Sequence, residues 1–135
     1  MDIQIREIRE IKKDEIIHLY KANRWSSADK PDELYNALLH SHTLLSAWDG
    51  SKLVGIANAI SDGYLVVYYP HMLVHPDYQG KGIGTSLMKI MLKKYSKFHQ
   101  QMLVADGKAI DFYKKCGFGK AGKTESMWIY QGDEH

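Results

Sequence analysis

A single cysteine, Cys116, stands among the 135 residues. That excludes an internal disulfide framework and suits a reducing compartment. Long apolar runs are also missing, since no stretch approaches the roughly 20 residues that a membrane helix needs. From Met1 to Glu10, Ile3 and Ile5 alternate with charged residues, so the segment lacks the apolar centre of a secretory signal. Charge of one sign is scarce: 18 Lys and Arg are set against 16 Asp and Glu, for a net charge of +2. No basic stripe interleaved with aromatics marks a nucleic-acid face. The seven histidines show no metal-ligand spacing. The expectation is a cytoplasmic protein with no nucleic acid, membrane or metal as partner.

What is present is the balance of a globular chain, 44% hydrophobic and 25% charged. The length suffices for one packed core and is short for two, so residues 1–135 read as a single domain. Ile3 to Ile8 alternates as a first strand. Asp14 and Glu15 open a helix with Ile16, Leu19 and Tyr20 on one side, and a polar loop around Trp25 follows. Pro31, Asp32 and Glu33 then start a second helix whose apolar stripe is Leu34, Ala37 and Leu38. Thr43 to Trp48, Lys52 to Ile60 and Tyr64 to Val74 read as three strands joined by Asp49-Gly50 and Asp62-Gly63, an antiparallel meander. Past Pro76 the period changes to that of a long helix carrying Ile83, Leu87, Ile90, Met91, Tyr95 and Phe98. Met102 to Ala105 reads as a short buried strand. Ala109 to Cys116 reads as a helix closed by Gly117, with Phe118 packing back, and Met127 to Tyr130 as a last strand. The fold class expected is α/β, with a mixed, mostly antiparallel central sheet flanked by helices.

The segment where strand, loop and long helix meet is the most informative. Gly80 and Gly82 leave backbone N–H groups uncovered where the helix begins, and Lys81 adds positive charge. Such an arrangement binds phosphate through the main chain. A dinucleotide fingerprint fails here because Thr85 stands where its third glycine belongs. A Walker A loop fails because Gly82, not Ser or Thr, follows Gly80-Lys81.

Gln79-Gly80-Lys81-Gly82-Ile83-Gly84, preceded by Val74-His75-Pro76-Asp77-Tyr78, resembles the pyrophosphate loop of the GNAT superfamily of acetyl-CoA-dependent N-acetyltransferases. Ala109 to Phe118, with Phe112-Tyr113 and Gly117-Phe118, resembles a second element of the same superfamily. The order of elements agrees over nearly the whole chain. More narrowly, Trp25, Pro31, Leu34, Ala37-Leu38, Ser41, Asp49-Gly50, Leu53-Val54-Gly55 and Ser61-Asp62-Gly63 are similar to short bacterial relatives of plant-type serotonin (arylalkylamine) N-acetyltransferases.

The resemblance implies direct acetyl transfer from acetyl-CoA to a primary amine in a ternary complex. The acceptor is expected to be a small molecule, with a protein lysine or N-terminus, or a non-catalytic acyl-CoA sensor, as alternatives. It assigns the cofactor to Gln79, Gly80, Lys81, Gly82, Ile83, Gly84 and Thr85, and puts backbone groups of Leu73 and Val74 beside the thioester. Tyr113 matches the tyrosine that protonates the leaving thiolate; a phenol of pKa ~10 is protonated at neutral pH. Packing beneath Phe118 is its other reading. An alkylammonium acceptor is under ~1% deprotonated at pH 7, so its proton needs a base. Relatives often use a strand carboxylate, but this chain offers His71 there, which serves either as that base or as a satisfied strand residue. Asp106 either contacts the cofactor or caps the following helix. Trp25, Asp62, Tyr64 and Tyr69 either line an acceptor pocket or act as loop anchor, turn residue and strand filler. Cys116 reads as a small buried hydrophobe. Pairing of the 127–130 strand with a second copy would make a homodimer.

Overall fold

The computed structural model describes residues 2–132. Three layers pack as helices, sheet, helices. The strands are β1 (Ile3–Arg6), β2 (Thr43–Asp49), β3 (Lys52–Ser61), β4 (Val66–Tyr68), β5 (Met72–Val74) and β6 (Gln100–Met102). They lie in the order β1-β2-β3-β4-β6, with β5 beside β3 further along that strand. All pairings are antiparallel except β4 with β6, which is parallel. The expected mixed, mostly antiparallel sheet is therefore present. Helices α1 (Lys13–Ala22) and α2 (Pro31–Leu39) cover one face, meeting Leu44, Leu53, Ile56 and Leu73. Helix α3 (Ile83–Lys94) covers the other face, meeting Leu45, Ala47, Ala57 and Val74. Because both faces are covered, β3 is buried without interruption from Leu53 to Ala59. Helix α4 (Lys108–Lys115) packs Phe112 and Tyr113 against the α3 side.

Local chemistry explains the helix ends. Pro31 occupies the first turn of α2, beside Asp32 and Glu33. Helix α4 ends in a Schellman motif: the Phe118 N–H donates to the Tyr113 carbonyl and the Gly117 N–H to the Lys114 carbonyl, each at 3.0 Å, with Gly117 at φ 109°.

Four expectations are corrected. The run from Tyr64 to Val74 is not one strand: Pro70, which has no N–H to give a ladder, falls between β4 and β5. The strand expected over Met102 to Ala105 starts earlier, at Gln100, and its ends are exposed because it is an edge. Met127 to Tyr130 forms no strand; Met127 and Ile129 are 91% and 96% exposed, despite an apolar pattern suited to pairing. Ala37 is exposed, and the inward stripe of α2 is Leu34 and Leu38.

Gly55 sets how closely α3 approaches the sheet. A Cβ there would stand 3.2 Å from Ala47 Cβ and 3.3 Å from Ile83 Cγ2. Gly55→Ala should therefore destabilise the fold by about 1–3 kcal/mol through overpacking, read as a lower urea midpoint at unchanged m-value.

Candidate active site

The site begins with a one-residue insertion in the sheet. Ile60 pairs with Tyr68 and Ala57 with Met72, so residues 69, 70 and 71 oppose only 58 and 59. This is a β-bulge, which bends a strand and re-aims its side chains. Tyr69 goes to the α3 face, against Tyr95 and Phe118, while His71 goes to the α1 face, against Tyr20 and Trp25. Asn58 holds the bulge closed. Its N–H donates to the His71 carbonyl, its Oδ1 accepts the His71 N–H, and its Nδ2 donates to Ser41 Oγ, each at 3.0 Å.

Beyond the bulge the sheet opens. Tyr69 donates its N–H to the Met102 carbonyl at 3.0 Å, but β5 pairs with β3 and not with β6. Hydrogen-bonded positions alternate along an antiparallel ladder. The 58/71 and 54/75 contacts are both bonded, at 3.0 and 2.8 Å, so the 56/73 pair between them is bonded as well. The main chain of Leu73 is thus turned to β3, correcting its expected place beside a thioester. Met72 and Val74 are the residues whose N–H and carbonyl groups point into the opening. Gln79 Nε2 donates to the Val74 carbonyl at 3.0 Å, tying the glycine loop to this edge and leaving the two N–H groups directed at the gap.

The loop itself has the form expected. Gly80 and Gly82 stand at φ 77° and 85°, a left-handed geometry that side chains disfavour. A Cβ at either would meet nothing within 4 Å, so their free faces are outward. The first helical bond of α3 runs from Ser86 N–H to the Gly82 carbonyl, so the N–H groups of Ile83, Gly84 and Thr85 have no acceptor within the helix. Helices α1 and α2 carry acids in their first turn, whereas α3 has none there and no side-chain cap. Its positive end is uncompensated, with exposed Lys81 beside it. Gly84 differs from the others: a Cβ there would stand 3.3 Å from both Met72 Cε and Phe112 Cζ, so this glycine lets α3 pack closely.

Helix α4 borders the opening from the other side. Thr85, Lys89, Phe112 and Cys116 line a cleft between α3 and α4. Tyr113 is half-buried against Phe112 and Phe118, and burial pushes its phenol up to about 12. Cys116 is half-exposed rather than buried, and desolvation raises its thiol, keeping it protonated at neutral pH.

The remaining expected residues divide. Trp25 meets Tyr20 and His71 edge-on, with ring centroids 5.6 and 5.1 Å away, so Trp25 and His71 are neighbours on the α1 face. Tyr69 is buried on the opposite face, donating to Gln101 Oε1 at 2.6 Å. Asp62 accepts the N–H groups of Tyr64, Leu65 and Val66, which gives it a turn role, and the Tyr64 ring is 89% exposed at that turn. Asp106 makes no side-chain cap to α4, whose cap residue is Gly107, so the capping reading fails. Tyr20 and Asn58 were not singled out in the sequence. Asn58 had a signal, a lone amide inside an apolar strand run, whereas Tyr20 looked like ordinary helix core.

Comparison with known proteins agrees with this geometry. Residues 8–127 match the acetyltransferase (GNAT) domain. The GNAT-family acetyltransferase SP0256 of Streptococcus pneumoniae TIGR4 superimposes with a TM-score of 0.83 at 32% identity, covering 96% of this chain and 99% of that one. An N-acetyltransferase, ycf52, of Gracilaria tenuistipitata var. liui is 37% identical over 49% of this chain and 37% of its own length. The spermidine N(1)-acetyltransferase of Vibrio cholerae is 27% identical over 80% of this chain and 68% of its own. The chain spans between 37% and 52% of the length of its ycf52 relatives. It belongs to the GNAT family of acetyltransferase enzymes. Among the described residues no helix is long and apolar enough to cross a membrane.

Proposed function

We propose that this protein moves the acetyl group of acetyl-CoA to a primary amine of a small molecule in a ternary complex, in the cytoplasm. The observation that carries the reading is the uncompensated N-terminus of α3, with outward-facing Gly80 and Gly82, set beside the gap where β5 leaves β6. Backbone N–H groups there suit a pyrophosphate. The Met72 and Val74 N–H groups suit an acyl carbonyl on which negative charge develops. The free amine attacks that carbonyl, a C–N bond forms as the C–S bond breaks, the nitrogen releases its surplus proton to water, and the thiolate takes a proton from Tyr113, which solvent then restores. Trp25 and His71 favour an acceptor with an apolar or aromatic body, such as an arylalkylamine. The related Vibrio protein is named for a polyamine and a Glycine max relative for histone, so relatives' names alone do not choose the acceptor.

Thermal denaturation with acetyl-CoA, followed by thiol release across an amine panel, tests the reading. Stabilisation with turnover of small amines is expected. Stabilisation without turnover on any amine, peptides included, would make it a sensor, and no stabilisation would end the proposal.

A further inference from the structure

Ile60 pairs with Tyr68, and Tyr68 with Met102, so these three side chains form one row across β3, β4 and β6. Alternation along each strand decides which face they take. Their chain neighbours Ala59, Val67 and Leu103 belong to the α3-side core, so Ile60, Tyr68 and Met102 point to the α1 side. Val66 joins them one step back along β4. Helices α1 and α2 leave this corner of the sheet uncovered: Ile60, Val66, Tyr68 and Met102 are 55%, 36%, 38% and 44% exposed. The row also borders the gap. Past the bond from the Tyr69 N–H to the Met102 carbonyl the strands part, and the N–H groups of Met72 and Val74 open there. An acyl donor held at the first turn of α3 reaches the gap from the α3 side. The attacking amine then comes from the other side, over Tyr68 and Met102.

We infer that Ile60, Val66, Tyr68 and Met102 seat the body of the acceptor, and that the acceptor is an elongated apolar monoamine, an unbranched alkyl or arylalkyl amine. The inference rests on the acetyl transfer proposed above and names the substrate class of that site. Its shape follows from the sheet, since three adjacent strands span about 10 Å. Its chemistry follows from the side chains, none of which is charged. A polyamine laid along the row would set its second ammonium on apolar groups, losing hydration without gaining a partner. A methylene fully removed from water gains about fourfold in affinity. One lying along an open face gains roughly half that free energy, or about twofold.

Acetylation of the unbranched alkylamines from ethylamine to decylamine reads the seat directly. kcat/KM should rise about twofold per methylene and level off near octylamine, whose extended length matches the row. The gain should appear in KM with kcat nearly constant, as for binding shared by ground state and transition state. The α,ω-diamine of the same length as octylamine should lose most of it. Met102→Gln, beside the gap, should lower the slope from the shortest amines onwards. Ile60→Thr, one strand beyond Tyr68, should keep the early slope and bring the plateau forward to about hexylamine. Both side chains are exposed, so neither change disturbs the core. A flat series, or a slope that both variants leave unchanged, overturns the inference. Methyl NMR of labelled methionines, with CoA present so that nothing is transferred, is the second arm. Octylamine should move the Met102 methyl signal, which Met102→Gln identifies by its loss. That shift without turnover of any amine would end the transfer reading and leave the seat standing. No shift would end the seat, whether or not amines are acetylated. A Met102 signal that moves with protein concentration instead would give this face to a second copy of the chain and overturn the inference.

Discussion

Tyr113→Phe should lower kcat about 100-fold while leaving acetyl-CoA affinity nearly unchanged, because a proton delivered to the leaving group matters mainly in the transition state. The phenol stands at about 12 because it is desolvated between Phe112 and Phe118. A free thiol of pKa ~8.5 would be a poor match for so weak an acid. The surroundings of Tyr113 raise a thiol as well, since desolvation lifts that of the neighbouring Cys116. A thiolate left there is likewise a stronger base than in water. The sign of the pH effect follows from the raised value. Tyr113 stays protonated through neutrality and favours the folded state up to pH 10; that contribution is lost as pH rises from 10 to about 12. No loss of kcat from Tyr113 ionisation is therefore expected below pH 10. Rapid-quench turnover of wild type and Tyr113→Phe across pH 6 to 9 checks both points. A wild-type rate in the variant would reduce Tyr113 to packing beneath Phe118, with water protonating the thiolate.

Much of this was legible locally and the rest was not, for reasons that particular residues make plain. The Gly80-Lys81-Gly82 turn, the Gly117 cap and the Asp49-Gly50 hairpin depend on short-range backbone chemistry, and they stand where the sequence puts them. The bulge depends on register, which an apolar run such as Tyr64 to Val74 does not display. Pro70 was the available sign, since a central ladder has no place for it. Asn58 needed the same knowledge, because its side-chain amide is explained by the His71 N–H at the bulge and by the Ser41 hydroxyl. Met127 to Tyr130 has strand-like composition, but composition supplies no partner. Tyr20 was read correctly as core, and only the fold shows that its hydroxyl ends on His71. The interchange of Leu73 with Met72 at the gap has the same origin, since a one-residue shift exchanges the groups that face each neighbour.

Gly82→Asn should remove the stabilisation by acetyl-CoA while leaving the free protein folded. Valine is the more obvious blocking residue, but at φ 85° a β-branched side chain is strained whatever the space around it, so Gly82→Val would confound unfolding with lost binding. Asparagine tolerates the left-handed region. Its Cβ would meet nothing within 4 Å, so the side chain would occupy the open space beside the first turn of α3, where a pyrophosphate would have to approach. Wild type at 100 times its Kd should gain about 2.7 kcal/mol, roughly 10 °C for a chain of this size. Loss of two charge-assisted hydrogen bonds would weaken binding by on the order of 100-fold or more and bring that shift close to zero. Gly84→Ala is the control, because its methyl would press on Met72 and Phe112 and not on a ligand facing the loop. That variant should melt lower than wild type yet keep most of its acetyl-CoA shift. A folded Gly82→Asn protein with the full wild-type shift would mean that the cosubstrate binds elsewhere, and the glycines would then serve only to turn the chain into α3.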